Sequence, residues 1–107
     1  MAICRTINPF TCRRDLYELD MLVLNRTDVM LWIQLAKEAR HDIRELRHLG
    51  YTDNDTCIKN ATDKYKLNMQ VVSRRLDEYR FRCQCAKMNI NEAVDFRKRL
   101  REYLEEN

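Results

Sequence analysis

Residues 56–87 read TCIKNATDKYKLNMQVVSRRLDEYRFRCQCAK, and this stretch contains neither glycine nor proline. Mostly apolar side chains recur along it in alternating steps of four and three residues, which is the period of one face of an α-helix. They belong to Ile58, Thr62, Tyr65, Met69, Val72, Leu76, Tyr79, Cys83 and Ala86. The spacing predicts one unbroken helix of roughly 50 Å, at a rise of about 1.5 Å per residue.

The whole chain is poor in turn-forming residues. Its 107 residues include one glycine and one proline, whereas average usage would supply about twelve of the two together. Tight turns between strands depend on these residue types, so the composition argues against a sheet with several hairpins. It predicts few, long elements and therefore an all-α fold.

The N-terminal half predicts an extended arm followed by two helices. The arm comprises residues 1–8, and a first helix over residues 9–26 opens on Asn8-Pro9 or, alternatively, behind Thr11 as its cap. The pair Thr27-Asp28 is typical of the start of a second helix, because a threonine hydroxyl can cap the first turn and an aspartate complements the helix dipole.

The C-terminal half predicts two more helices. Gly50 supplies the left-handed residue that ends the second helix, and residues 56–87 form the third. Asn89, three residues before Glu92, predicts a capping box at the start of a fourth helix. The predicted fold is a small bundle of about four helices with one long central helix, in a single helical domain over residues 9–107.

The predicted central helix is too long for a compact domain of this size. A domain of about 100 residues has a radius of gyration near 13 Å, so a 50 Å helix either breaks or extends beyond its own bundle. An extending apolar seam needs a partner, and a second apolar stripe with flanking arginines marks the predicted interaction face. That face comprises Tyr65, Leu67, Val71, Arg75, Phe81 and Arg82. The alternative is a central helix whose two faces are both covered within the bundle.

Arginine dominates the basic residues of the chain. Fourteen arginines stand against six lysines, with a formal net charge of +3, and arginine makes the bidentate contacts that carboxylates and phosphates accept. A predicted basic patch comprises Arg74, Arg80, Arg97, Lys98, Arg99 and Arg101. The mild net charge ranks an acidic protein partner first and nucleic acid second.

The sequence argues against an enzyme. A phosphate-binding loop needs several glycines, and Gly50 has no glycine near it. The one serine, Ser73, lies within a predicted helix, where the strained turn of a nucleophile elbow cannot form. His41 and His48 share a helix face with charged residues, which is typical of a solvated surface. No cofactor is expected.

The five cysteines are odd in number and follow no framework spacing, which favours free thiols in a reducing, cytoplasmic compartment. Two alternatives stay open, a zinc site and a disulfide between the arm and a helix. The zinc site would draw on Cys4, Cys12, Cys83 and Cys85. No secretory signal is apparent, and three N-x-T sequons are interpreted as helix-capping sequences rather than glycosylation sites. They begin at Asn25, Asn54 and Asn60.

Together these features predict a non-enzymatic helical module for protein–protein interaction: an adaptor, assembly component or inhibitor that covers a partner surface. Self-association through a coiled-coil-like seam is the simplest form of such binding. The short chain without motifs fits a component of a larger assembly or of a virus-like genome. The alternative is an RNA- or DNA-binding component of a ribonucleoprotein or regulatory complex. No membrane partner is expected, since no stretch approaches about 20 apolar residues.

Overall fold

The structure, a computed structural model, describes residue 3 and residues 5–106. Within these residues the chain is helical and contains no strand, which confirms the all-α prediction. The helices are α1 (Cys12–His48), α2 (Thr56–Ala86) and α3 (Ile90–Glu106). Three helices therefore stand where about four were predicted. The long stretch is central in chain order, as expected, but α1 is longer than α2, with 37 residues against 31.

The predicted boundary between the first two helices is wrong, because α1 continues through Thr27-Asp28. Thr27 does not cap a new helix; its hydroxyl donates to the carbonyl of Val23 at 3.1 Å, one turn back in the same helix. Asp28 forms an ion pair with Arg75 at 3.1 Å instead of facing a helix N-terminus. Cap-forming residue types also fit a helix interior when their side chains find such partners.

The helix α1 begins after Thr11, which was the alternative cap to Asn8-Pro9 in the sequence prediction. The carbonyl of Thr11 accepts the backbone N–H of Asp15 at 2.9 Å, and its hydroxyl donates to the Asp15 carboxylate at 3.0 Å. The Asn8 side chain instead accepts the N–H of Phe10 at 3.0 Å, which makes a turn ahead of the helix. Pro9 therefore lies outside α1.

The ends of α1 and α3 follow the sequence signals. Gly50 has a φ of 96°, and its N–H donates to Arg47 O at 3.0 Å, while Tyr51 N–H donates to Leu46 O at 3.2 Å. These two bonds form the predicted Schellman-type end of α1. At the start of α3 the side chain of Asn89 accepts the N–H of Glu92 at 2.9 Å, as the predicted capping box requires.

The interpretation of the sequons as capping sequences is wrong for two of the three. Asn25 lies buried inside α1, and Asn60 lies within α2. The cap of α2 is Asp55, whose carbonyl accepts the N–H of Lys59 at 3.1 Å and whose carboxylate accepts the N–H of Thr52 at 2.6 Å. Asn54 precedes that cap and is exposed.

The chain divides into two compact units. Unit 1 comprises residues 1–27 and 77–107, and unit 2 comprises residues 28–76. The prediction of one domain over residues 9–107 is not tested by this division, because α1 and α2 each contribute to both units.

Unit 2 pairs the C-terminal part of α1 with the N-terminal part of α2. Buried side chains come from both helices: Val29, Ala36, Ala39 and Ile43 from α1, and Ile58, Asn68 and Val72 from α2. The ion pair between Asp28 and Arg75, at 3.1 Å, joins the two helices. Residues 56–76 of α2 thus share a compact unit with α1 of the same chain, which removes the predicted need for an outside partner along that part of the helix.

Unit 1 contains an apolar cluster of buried side chains. Its fully buried members include Leu19, Ala93 and Leu100, each with no exposed surface. The cluster combines the first half of α1, the end of α2 and one face of α3, and Ile3 joins it from the predicted arm.

The described part of the predicted arm contains no helix and is anchored to unit 1. Ile3 is buried in the apolar cluster. Arg5 donates to the carbonyl of Lys87 at 3.1 Å and forms an ion pair with the Glu92 carboxylate. One apolar and one charged contact therefore hold these residues against their own chain.

We expect Lys87→Gly to stabilise the protein by about 0.5–1 kcal/mol, because Lys87 ends α2 with a φ of 54° that glycine adopts at less cost. The bonds from Lys87 N–H to Gln84 O and from Met88 N–H to Cys83 O hold the residue in this conformation. Urea denaturation measures the change. Lys98→Gly, within α3, is the matched control and should destabilise by about 1 kcal/mol. A Lys87→Gly protein no more stable than the original would contradict this account.

Candidate functional site

A cavity of about 470 Å³ lies in unit 1, lined by the first turns of α1, the last turns of α2 and Ile3. Its volume falls in the range of roughly 300–1,000 Å³ that is common for ligand sites. Apolar side chains make up half of the lining: Ile3, Leu22, Phe81, Cys85 and Ala86. Phe81 is 65% exposed, so a large aromatic ring lies beside the cavity with most of its surface in water.

Two pairs of oppositely charged side chains line the same cavity. The carboxylate of Asp15 is almost fully buried, accepts a hydrogen bond from Thr11 and lies 3.5 Å from the guanidinium of Arg14. On α2, Arg82 lies 3.7 Å from Glu78. The Nε–H of Arg82 is buried and finds no acceptor among the described residues. The cavity thus combines apolar walls with a guanidinium that makes no hydrogen bond within the described chain.

A third carboxylate lines the cavity without a partner. Glu18 is exposed, and no described residue forms an ion pair or hydrogen bond with it. Because Asp15 has Arg14 and Glu78 has Arg82, Glu18 leaves the lining with one excess negative charge.

The cavity includes two of the six residues of the predicted interaction face, Phe81 and Arg82. The other four belong to unit 2: Tyr65, Leu67, Val71 and Arg75. Among these, Leu67 is 60% exposed, Tyr65 and Val71 are half-buried, and Arg75 pairs with Asp28.

The predicted basic patch is partly neutralised within unit 1. Arg97 and Arg101 both pair with the carboxylate of Asp20 on α1, Arg101 at 3.2 Å. These two guanidiniums hold α3 against α1 and are less available to a phosphate. Asp20 was not among the predicted site residues, and no local sequence signal distinguishes it from the other acidic residues of α1.

The other members of the predicted patch are exposed. Lys98 and Arg99 project from α3, and the Arg99 guanidinium lies 5.7 Å from the centre of the Phe96 ring. Arg80, on α2, is also exposed. Arg74 is exposed in unit 2.

The cysteines lie in different environments. Cys12 is buried and Cys83 is half-buried against the same apolar cluster, whereas Cys85 lines the cavity. Among residue 3 and residues 5–106, no group of three or more metal-binding side chains is close enough to hold a metal ion. Cys4 lies outside the described residues, so the zinc and disulfide alternatives that use it stay predictions.

A row of exposed apolar residues begins in the turn before α1 and continues along the outer side of that helix, and none of its members was among the predicted site residues. Phe10, Tyr17 and Leu24 follow one another at intervals of seven and are 97%, 62% and 59% exposed. Met21 lies between the last two and is half-buried. The interval of seven was visible in the sequence, but the predictions placed no interaction face on the first helix.

The environment of Tyr79 raises the pKa of its phenol above the ordinary value of 10.0. Burial is the main cause, since it disfavours the charged phenolate. A hydrogen bond with Cys83 and the negative charge of that thiolate act in the same direction, while the positive charge of Arg26 opposes them.

No protein-family model matches this chain, and no curated protein or solved structure shows significant similarity to it. None of the helices, as far as the structure describes them, has an apolar stretch long enough to cross a bilayer.

We expect the free energy of unfolding to fall as pH rises above about 10, because the unfolded chain then loses the Tyr79 proton before the folded chain does. Tyr79→Phe should reduce this fall. Urea denaturation at pH values below and above that of the free phenol measures it. Tyr51→Phe is the control, since Tyr51 is 47% exposed. The same pH dependence in Tyr79→Phe as in the original protein would refute the role assigned to Tyr79.

Proposed function

We propose that this protein is a non-enzymatic helical module for protein–protein interaction, and that a second copy of the chain is its first partner. The observation that carries the proposal is the exposed row Phe10, Tyr17, Met21 and Leu24 in unit 1. In such a role the protein would act as an adaptor, assembly component or inhibitor by covering a partner surface.

The spacing of the row fits a helical partner. Tyr17, Met21 and Leu24 follow steps of four and three, which is the arrangement of a coiled-coil seam. They lie on the opposite side of α1 from Leu19, which is fully buried in the core of unit 1. Single exposed apolar residues are common on monomers, but an ordered row of large ones marks an interaction surface.

The energy available from this row is adequate for association. Burying one exposed leucine or aromatic side chain contributes about 1.5–3 kcal/mol. Two copies that pair through Tyr17, Met21 and Leu24 would each bury several such side chains. Micromolar binding needs about 8 kcal/mol, so a weak to moderate dimer is the expected outcome.

The chemistry of the cavity supports a binding role rather than a catalytic one. Nucleophilic catalysis needs a nucleophile with a general base within hydrogen-bond reach. The Asp15 carboxylate already accepts a hydrogen bond from Thr11 and faces Arg14. The residues that line the cavity in the described chain include neither histidine nor serine.

Nucleic-acid binding is the second candidate. Arg80, Lys98 and Arg99 are exposed in unit 1 and would contact phosphates through charge alone. Asp20 counts against this candidate, because it pairs with two of the arginines that the basic patch would use.

We expect sedimentation equilibrium to show reversible association of the original protein between micromolar and millimolar concentrations. Leu24→Asp should weaken it by at least about tenfold, because a charge replaces an apolar side chain of the seam in both copies. The matched control is Leu49→Asp, at a residue that is 75% exposed but outside the row. A monomer at every concentration, or equal effects of the two substitutions, would count against the proposal.

A titration with generic RNA and duplex DNA at two salt concentrations tests the second candidate function, nucleic-acid binding. If the proposal holds, we expect only weak binding at low salt. Tight binding that falls steeply with salt, and that is lost on charge reversal of Lys98 and Arg99, would favour the nucleic-acid function instead.

A further inference from the structure

We propose that the cavity of unit 1 is an anchor site for a partner peptide that carries a large apolar side chain next to a basic residue. This inference rests on the proposed function and adds a second surface to it, since the self-association row uses the outer side of α1. Three features of the cavity define the peptide: the apolar walls, the guanidinium of Arg82 and the unpaired carboxylate of Glu18.

The apolar walls select the anchor side chain. Leu22 and Ala86 are buried, and Ile3 is 8% exposed. Together with the sulfur of Cys85 they leave about 470 Å³ open to an occupant. Phe81, 65% exposed, gives a ring against which a leucine or phenylalanine side chain would pack. Insertion of such a side chain removes apolar surface from water on both partners.

The Arg82 guanidinium selects a hydrogen-bond acceptor beside the anchor. The side chain is 30% exposed, and its Nη2 lies 3.7 Å from Glu78, beyond hydrogen-bond distance, so the guanidinium makes no hydrogen bond within the described chain. Because its Nε–H is buried, the terminal N–H groups are the donors that a ligand acceptor can reach. The backbone carbonyl of an inserted residue is an acceptor that every peptide carries close to its anchor side chain.

The Glu18 carboxylate determines which charge is favoured on the peptide residue next to the anchor side chain. The other two carboxylates of the lining each face a guanidinium, Asp15 with Arg14 and Glu78 with Arg82. Glu18 is exposed and without such a partner in the described chain. A lysine or arginine next to the anchor therefore finds an opposite charge, whereas a glutamate at that position is repelled.

The test uses the full chain, labelled with ¹⁵N, and three acetylated, amidated hexapeptides. The first has a central Leu-Lys pair, the second Leu-Glu and the third Ser-Lys, with alanine elsewhere. We expect the Leu-Lys peptide to shift the amide resonances of Phe81, Cys85 and Ala86 and the Nε–H resonance of Arg82. The Leu-Glu and Ser-Lys peptides should each bind several-fold more weakly.

Substitutions then assign the contacts. Arg82→Lys keeps the positive charge beside Glu78 but removes the guanidinium N–H groups, and should weaken Leu-Lys binding about tenfold. Arg80→Lys, at an exposed position outside the lining, is the matched control and should change nothing. Glu18→Gln should abolish the preference for Leu-Lys over Leu-Glu while keeping the preference for Leu-Lys over Ser-Lys.

A further variant tests whether binding can be lost while the protein remains folded. Cys85→Phe would fill the cavity from a half-buried position, and should block the peptide while the helical circular dichroism stays unchanged. Equal binding of all three peptides, no shifts at the lining residues, or equal effects of Arg82→Lys and Arg80→Lys would each overturn the anchor site. If association through Leu24 persists in that case, the anchor site alone fails; if it is also absent, the proposed function fails with it.

Discussion

The uninterrupted backbone hydrogen bonding of α1 is the constraint on which the rest of the structure depends. At Thr27-Asp28 the chain has the residue types of a helix start, yet Thr27 bonds back to Val23 and Asp28 pairs with Arg75. With no glycine or proline nearby, continuing the helix costs little. One helix therefore supplies buried residues to both compact units, and residues 56–76 of α2 share a unit with α1 of the same chain.

Continuity of α1 also determines which surfaces remain for binding. In unit 1 the side of α1 that carries Leu19 is buried, and Asp20 anchors Arg97 and Arg101 of α3. The opposite side of α1 exposes the side chains of Tyr17 and Leu24 to solvent. The two surfaces that we assign to binding are therefore those that intramolecular packing leaves uncovered, the outer row of α1 and the cavity beside Phe81.

Much of the fold was predictable, because local rules act within a few residues. The glycine at position 50, the cap at Asn89 and the four-three spacing along α2 each depend on neighbours in sequence, and each prediction holds. The helix boundary at Thr27 failed because a threonine hydroxyl can bond forward as a cap or back to the preceding turn, and the ion pair of Asp28 with a residue 47 positions away favours the second arrangement. Of the predicted interaction face, Phe81 and Arg82 line the cavity together.

The sequence by itself determined the helical class and most of the helix ends, since these follow from composition and short-range spacing. Only the tertiary structure decided which charges are used internally and which stay available. Asp20 and Glu18 are two residues apart and chemically similar, yet one is bound by two arginines and the other has no partner among the described residues. That difference arises from packing between elements far apart in the chain, and local sequence patterns carry no information about it.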